Sequence, residues 1–207
     1  HDDGDHTGGA AAVLRGARVV QVLVPTPEPG VPGPATRFAA LGRPLRRCAR
    51  GDTLHSTPPV VVCWPPVGMP LPSDNAAALV LEVGEASGRV LLAADVDSTR
   101  EDSLAIAPGS AVLKGAHHGS AASSGARFLA RARPTVAVIS AGRRNAFGHP
   151  DPGALARIVA AGATLLRTDR EGAVWLEISP SGARRLDWRR AHPLVDAPRG
   201  PHSLAPR

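Results

Sequence analysis

Short apolar runs bounded by glycine and proline alternate along the chain with stretches in which apolar residues recur at helical spacing. This alternation predicts an α/β domain in which strands and helices pack in layers. Strands are predicted at residues 19–24, 45–48, 60–63, 78–83, 90–94, 111–114, 136–140, 164–167 and 174–178. Helices are predicted at residues 35–41, at 99–106 with Ser98 as the N-cap, from Ser123 or Ser124 to Ala132, and at 152–161.

The same pattern predicts turns, helix faces and domain limits. The glycine-rich residues 84–88 indicate a hairpin turn, and residues 50–52 a turn between two strands. On the last two helices the side chains expected to face the core are Phe128, Leu129, Ala132, Leu155, Ile158 and Val159. Residues 25–34 are predicted to form a loop. The domain is expected to span residues 1–190, and the proline- and arginine-rich residues 191–207 to form a disordered tail.

Composition and charge narrow the function only slightly. Hydrophobic residues make up 43% of the chain and aromatic residues 3%, which is typical of a globular domain with small core side chains. The net charge of +6 suits a polyanionic partner such as DNA, or a layer of lipid headgroups. Since six arginines lie within the last two dozen residues, a merely basic tail explains the charge equally well.

The cysteines and the lengths of the apolar runs bear on whether the chain has disulfides, a membrane helix or a signal peptide. Cys48 and Cys63 fall on different predicted strands and lack CxxC spacing, so we expect free thiols in the core. No run approaches the ~20 apolar residues that a membrane helix needs, and no signal peptide is visible. The chain starts with a histidine inside a polar motif, and we expect it to be part of a longer protein.

The first six residues, His1-Asp2-Asp3-Gly4-Asp5-His6, hold the densest group of potential metal ligands in the sequence. Imidazoles and carboxylates this close together suit a divalent ion such as Zn²⁺ or Mn²⁺. The alternative is an acidic loop without a metal, since Asp and His are common in loops.

Further polar residues follow the predicted strands, where α/β proteins usually hold their sites. Asp95 follows a buried strand and is placed to bridge two cations, or else to cap a turn. His117 and His118 follow another strand, and because neighbours on an extended segment point to opposite sides, we expect His117 to be the ligand. His149 lies between Gly148, which permits an unusual backbone angle, and Pro150, which stiffens the next step, and it is a candidate ligand or proton donor.

Several blocks of sequence occur in an order that resembles a known family. The blocks are HDDGDH at residues 1–6, GDTL at 51–54, CWPP at 63–66, DNAAALVL at 74–81, LLAADVD at 91–97, VLKGAHHGS at 112–120 and GHPDP at 148–152. Together they are similar to the metallo-β-lactamase superfamily and in particular to the domain of that fold in ComEC/Rec2 DNA-uptake proteins. The HHGS and GHPxP blocks are the most specific to that branch.

The resemblance implies a metallo-β-lactamase αββα sandwich that lacks its first strands, because in that fold early strands precede the histidine motif. It implies one or two divalent ions held by His1, Asp3, Asp5, His6, Asp95 and His117. Asp5, His118 and His149 are then the expected catalytic residues, with Asn75, Lys114 and Ser120 as substrate contacts. His55, His192 and His202 are interpreted as surface or tail residues.

Three functions remain open at this stage. The first is a nuclease-like hydrolase that contacts the DNA backbone without reading its sequence, within a parent protein anchored in the cytoplasmic membrane by absent upstream segments, with this domain on the outer side. The second is a stand-alone hydrolase of a small ester, lactone, thioester or phosphonate. The third is a metal-free relic that binds only DNA or a partner protein. The oligomeric state is not indicated by the sequence.

Overall fold

A computed structural model of the protein describes residues 1, 3–26, 44–69 and 75–187. Its core is a mixed seven-stranded sheet with the order β3-β4-β5-β6-β7-β8-β9. The strands are β3 (Thr53–Leu54), β4 (Val60–Trp64), β5 (Val80–Val83), β6 (Val90–Leu92), β7 (Ser110–Lys114), β8 (Pro134–Ile139) and β9 (Thr164–Arg167). The α/β class predicted from the sequence is therefore confirmed.

The direction of the strands changes at β6. Strands β3 to β6 pair antiparallel, as the predicted hairpin at residues 84–88 requires, whereas β6 to β9 pair parallel. The parallel strands are linked by short helices: α3 (Ser98–Glu101), α4 (Ala126–Ala132) and α5 (Pro152–Ala160). Because parallel strands share an edge at their carboxyl ends, the segments that follow β6, β7 and β8 meet at one place.

Smaller elements lie outside this sheet. Helices α1 (Gly4–Thr7) and α2 (Ala10–Gly16) open the chain, and β1 (Val22–Pro25) pairs in parallel with β2 (Leu45–Cys48). After β9 come α6 (Thr168–Glu171) and an antiparallel hairpin of β10 (Trp175–Ser179) and β11 (Gly182–Leu186). The sequence interpretation missed α1, α2, β3, α6 and β11. Each is short, and α1 lies in a segment so polar that no apolar period marks it.

The core forms where the sheet meets α4 and α5. Trp64, Leu91 and Leu113 from the strands pack in one buried cluster with Phe128 and Ile158 from the two helices. Cys48 and Cys63 are buried and free, as predicted, and burial raises the pKa of the Cys63 thiol to about 12. Among the described residues no helix is long and apolar enough to cross a membrane.

Three local predictions about helices were wrong. The helix predicted at 99–106 is a single turn, and its cap is Asp97, whose carboxylate accepts a hydrogen bond from the backbone N–H of Thr99, rather than Ser98. The N-cap of α4 is Gly125, and neither Ser123 nor Ser124 caps it. Val159 is 56% exposed, because α5 buries Ala154 and Ile158 instead. The predicted helix at 35–41, most of the predicted loop at 25–34 and the predicted tail lie outside the described residues.

Candidate metal centre

Asp95 lies just beyond the carboxyl end of β6, after a sharp turn of the backbone. Ala94 takes a left-handed backbone conformation, with a φ of 49°, and its carbonyl accepts a hydrogen bond from the backbone N–H of His117 at 2.9 Å. This bond joins the turn after β6 to the turn after β7. The Asp95 carboxylate is buried, with 3% of its surface exposed, and is held at the junction.

The backbone of His117 and His118 differs from the extended conformation that the sequence interpretation assumed. Both residues are left-handed, with φ values of 45° and 52°. Their rings consequently do not point to opposite sides: both Nε2 atoms approach Asp95 Oδ2, at 4.0 Å for His117 and 3.3 Å for His118. The turn closes with Gly119 at a φ of 81°, where an added Cβ would lie 2.6 Å from the Cβ of Pro150.

The loop that follows these histidines is held by two ionic side chains. The Glu101 carboxylate, fully buried, accepts hydrogen bonds from the backbone N–H groups of Ser124 and Gly125 at 2.5 and 2.7 Å. The Arg157 guanidinium donates to the carbonyls of Ala121, Ser123 and Ser124 at 2.8 to 3.0 Å. The histidine turn is therefore supported from its carboxyl side by α3 and α5.

The N-terminal segment places more ligand atoms against Asp95. On α1, His6 Nε2 lies 3.1 Å from Asp95 Oδ2 and 3.2 Å from His118 Nε2. Asp5 Oδ2 lies 3.1 Å from His118 Nε2. The His1 side chain is only 1% exposed, and its Nε2 lies 3.8 Å from Asp95 Oδ2 and 3.5 Å from Asp3 Oδ2.

Asp5, His6, Asp95 and His118 form one cluster, which we call the metal cluster: one ligand atom from each lies within 4.8 Å of the others. His117 is outside this group, so the geometry favours His118 over His117 as the ligand. Two further residues of the predicted metal set lie beside the cluster. His1 contacts Asp95, and Asp3 contacts His1. The roles of all these residues stay predictions, although the structure brings them together.

The hydrogen bonding of His118 fits a cation at this cluster. Its Nδ1 lies 2.7 Å from the carbonyl oxygen of Ser140, which accepts only, so Nδ1 carries a proton. In a neutral ring Nε2 then has a lone pair, and this lone pair faces the carboxylate oxygens of Asp5 and Asp95. A cation satisfies all three atoms at once, and an N–H donated to a backbone carbonyl is the usual support of a metal-ligating histidine.

The protonation of the cluster is governed by the same contacts. Burial alone would raise the pKa of Asp95, but hydrogen bonds from His118 and His6, with the Lys114 charge, hold that pKa well below its usual range. The bond to Asp95 raises the pKa of His118, and the Ser140 carbonyl adds to this effect. Protons and a metal ion therefore compete for the same nitrogen.

Lys114 contacts the cluster through its ammonium group, and its side chain is only partly exposed. Its Nζ lies 3.2 Å from the carbonyl oxygen of Ala94 and 3.5 Å from Asp95 Oδ1. Burial lowers the pKa of Lys114, while the neighbouring Asp95 carboxylate opposes that effect. The predicted substrate contact stays a prediction; what the structure shows is that Lys114 approaches Oδ1 of Asp95, whereas the histidines approach Oδ2.

A pocket of about 510 Å³ opens beside the metal cluster. It is lined by Asp5, His118, Ser140, Ala141, Gly142, Asn145, Phe147 and His149. The backbone of His149 is fixed by the Asn145 side chain, which accepts from the N–H at 2.9 Å and donates to the carbonyl at 2.6 Å. Burial, together with the nearby His117 and His118, lowers the pKa of His149.

Asn145 and Phe147 were missed by the sequence interpretation. The signal for Asn145 was present, since a short polar side chain four residues before His149 is able to bracket a turn.

Two other residues, Ser120 and Asn75, were predicted to contact the substrate, and that role stays a prediction. Ser120 holds the histidine turn, donating its backbone N–H to the His117 carbonyl at 2.8 Å. Asn75 begins a short 3₁₀ turn, and its Oδ1 is buried with no hydrogen-bond partner among the described residues.

Comparison with known proteins gives three curated relatives. The chain is 29% identical over 160 residues to "Recombination protein 2" of Haemophilus influenzae, covering 76% of this chain and 19% of the relative. It is 28% identical over 180 residues to "ComE operon protein 3" of Bacillus subtilis, covering 84% and 23%. It is 37% identical over 115 residues to "Competence protein ComA" of Neisseria gonorrhoeae, covering 54% and 17%.

The chain thus spans about a fifth of the length of the curated relatives it matches. No protein-family model matches it.

Proposed function

We propose that this chain, which belongs to the ComEC/Rec2 family of competence proteins, is a metal-dependent hydrolase that cleaves phosphodiester bonds of DNA during DNA uptake. The observation that carries the proposal is the metal cluster, in which Asp5, His6 and His118 surround the buried Asp95 carboxylate at the edge of an open pocket.

The proposal includes the metallo-β-lactamase fold. A mixed sheet with helical links between its parallel strands is compatible with one half of an αββα sandwich. Asp95 and His118 of the metal cluster lie beyond the carboxyl ends of the adjacent parallel strands β6 and β7, the edge at which layered α/β proteins usually hold their sites. The parent protein is proposed to lie in the cytoplasmic membrane, with this domain on its outer side.

Asp5, His6, Asp95 and His118 are the proposed ligands of a first divalent ion, Zn²⁺ or Mn²⁺. His1, which approaches the Asp95 carboxylate, and Asp3, which contacts His1, are proposed to hold a second ion. Such an ion acts as a Lewis acid that lowers the pKa of water and neutralises charge on phosphoryl oxygens.

The other parts of the proposed hydrolysis, orienting the water and binding the leaving oxygen, are assigned to side chains around the pocket. Asp5 has 60% of its side chain exposed, and we assign it the orientation of the attacking water. His149 lines the same pocket, and its two backbone hydrogen bonds with the Asn145 side chain fix its position; we assign to its ring the hydrogen bond to the leaving oxygen. The His117 ring lies beside that of His149, with 5.6 Å between the two ring centroids.

DNA is the proposed substrate on two grounds. Two of the relatives are named for competence or its operon and the third for recombination, which agrees with a role in handling incoming DNA. The net charge of +6 favours a polyanion and contacts to its backbone, which carry no sequence information.

The test is DNA cleavage by the purified chain with added Mn²⁺ or Zn²⁺, on single-stranded and double-stranded substrates. We expect cleavage that stops with a chelator and is lost in Asp95→Ala. His55→Ala is the matched control, because His55 is exposed and outside the cluster, and it should cleave like the wild type. Cleavage that survives Asp95→Ala would contradict the proposal.

One observation favours a second candidate. The pocket volume of about 510 Å³ falls in the range of small-molecule sites, so a hydrolase of a small ester, lactone or thioester also fits. Stoichiometric bound metal without cleavage of any DNA would support that candidate. Failure to bind metal at all would instead support a domain that only binds DNA or a partner protein.

A further inference from the structure

Phe147 has the most exposed large apolar side chain among the described residues, with 82% of its surface in solvent. It lies on the loop of residues 141–149 between β8 and α5, which we call the rim loop. One face of its ring stacks on His149, with a centroid distance of 6.0 Å and an interplanar angle of 17°. Because that contact covers so little of the ring, the opposite face is open to a flat partner.

The Asn145 side chain holds the rim loop that carries Phe147 in a defined shape. Asn145 bonds both the N–H and the carbonyl of His149 and also donates to the Gly142 carbonyl at 2.9 Å, so the loop has an internal frame. Phe147 lines the same pocket as Asp5 and His118. An aromatic ring therefore stands at the mouth of the pocket into which two residues of the metal cluster project.

The rim loop also carries two positive charges. Arg143 and Arg144 are exposed, and within the described ranges no hydrogen bond or ion pair involves either guanidinium group. A guanidinium binds a phosphate through two parallel hydrogen bonds, and the planar group suits this better than an ammonium does. Unpaired arginines next to an exposed aromatic ring are the combination that holds a nucleic-acid strand without reading its sequence.

We propose that the rim loop binds single-stranded DNA: Phe147 stacks on an unpaired base, and Arg143 and Arg144 bind phosphates of the same strand. The strand so held passes a phosphodiester into the pocket beside His118. A duplex offers no free base face to Phe147, because its bases stack on each other. The loop thereby selects single strands, and this inference rests on the proposed function of the metal cluster.

The test measures binding without cleavage. The purified chain is titrated in chelator against a fluorescent thymidine oligonucleotide and against a blunt duplex of equal length, and anisotropy gives the two Kd values. We expect tighter binding of the single strand, and a Kd that rises about 5- to 150-fold in Phe147→Ala because the stacking of one base is removed. Phe147→Trp should restore the affinity, and neither variant should change duplex binding.

Two controls separate stacking from general surface effects. Val159→Ala removes an exposed apolar side chain from α5, outside the rim loop, and should leave both Kd values unchanged. The double variant Arg143→Ala/Arg144→Ala should weaken binding of both substrates and lower the salt dependence of single-strand binding. The log–log slope should fall by roughly 0.7 for each phosphate that the variant no longer binds.

The failure of this inference is distinguishable from failure of the proposed function. Single-strand binding in Phe147→Ala equal to that of the wild type, or no preference for the single strand in the wild type, overturns the rim-loop proposal even if metal-dependent cleavage is observed. Reduced single-strand affinity in Phe147→Ala supports it even if the metal-loaded chain cleaves no DNA.

Discussion

The two halves of the metal cluster are built on different kinds of structure. Asp95 and His118 follow β6 and β7, two strands inside the seven-stranded sheet. Asp5 and His6 lie on α1, a helix of four residues whose N-cap, Asp3, makes no side-chain capping bond. The side chains of both halves come within hydrogen-bonding distance of each other, although their supports differ greatly.

The difference lies in what holds each half when no ion is bound. The sheet half is supported by the His117–Ala94 backbone bond and, behind it, by Glu101 and Arg157. The helix half buries only Thr7 on α1 and Leu14 on α2, and helices this short are marginal in water. We therefore expect folding alone to preorganise Asp95 and His118, and the position of Asp5 and His6 to depend on a bound ion.

The largest expected effect is the loss of DNA cleavage when His118, the histidine of the sheet half, is replaced. His118→Ala should lower metal-dependent DNA cleavage by about 10²- to 10⁴-fold, because it removes both a ligand and the bond to the Ser140 carbonyl. Its free energy of unfolding should fall by about 1–3 kcal/mol, since the bonds to the Ser140 carbonyl and to Asp95 are both removed. Cleavage within twofold of the His55→Ala control would show that the cluster is not the site.

A smaller effect is expected on stability when the histidine turn is disturbed. Gly119→Ala should lower the free energy of unfolding by about 2–4 kcal/mol, because the left-handed φ is strained and the new Cβ meets Pro150. Gly162→Ala is the matched control: its φ is +86° but nothing lies within 4 Å of the added Cβ, so about 1 kcal/mol is expected. Equal losses in urea denaturation would mean that the close approach to Pro150 contributes nothing.

The smallest expected effect is a local one that separates the two halves directly. With Mn²⁺ or Zn²⁺ at 100 times its Kd, amide hydrogen exchange in α1 and α2 should slow by up to roughly 100-fold, which corresponds to about 2.7 kcal/mol. Exchange in β7 and β8, already protected by the sheet, should change much less. Equal slowing in both regions would contradict the view that only the helix half depends on the ion.

The sheet was predictable because its signal is local. The strands at 60–63, 111–114 and 164–167 each show as an apolar or β-rich run with glycine or proline nearby, and the structure has them at those positions or within one residue. The end of α3 was not predictable from the helical spacing of apolar residues, because residues 102–106 continue that spacing. In the structure the chain turns there and brings Leu104 into the core. Tertiary packing there overrides helix propensity.

The candidate site was predictable in its residue types but not in its geometry. The order of the motifs indicated His1, Asp3, Asp5, His6 and Asp95, and the structure brings them together at one sheet edge. The choice between His117 and His118 required φ values that no sequence pattern reveals, because left-handed conformations are rare outside glycine. Phe147 was missed because a single exposed aromatic residue adds nothing to the spacing of apolar residues from which the elements were predicted.

Metal content tests the central claim most directly. The wild-type chain and Asp95→Asn are incubated with Mn²⁺ or Zn²⁺, freed of excess ion by gel filtration, and analysed by mass spectrometry for bound metal. The exposed Asp102, which lies outside the cluster, gives the matched control Asp102→Asn. We expect stoichiometric metal in the wild type and in Asp102→Asn, and its loss in Asp95→Asn. Equal metal in all three, or none in the wild type, would contradict the account.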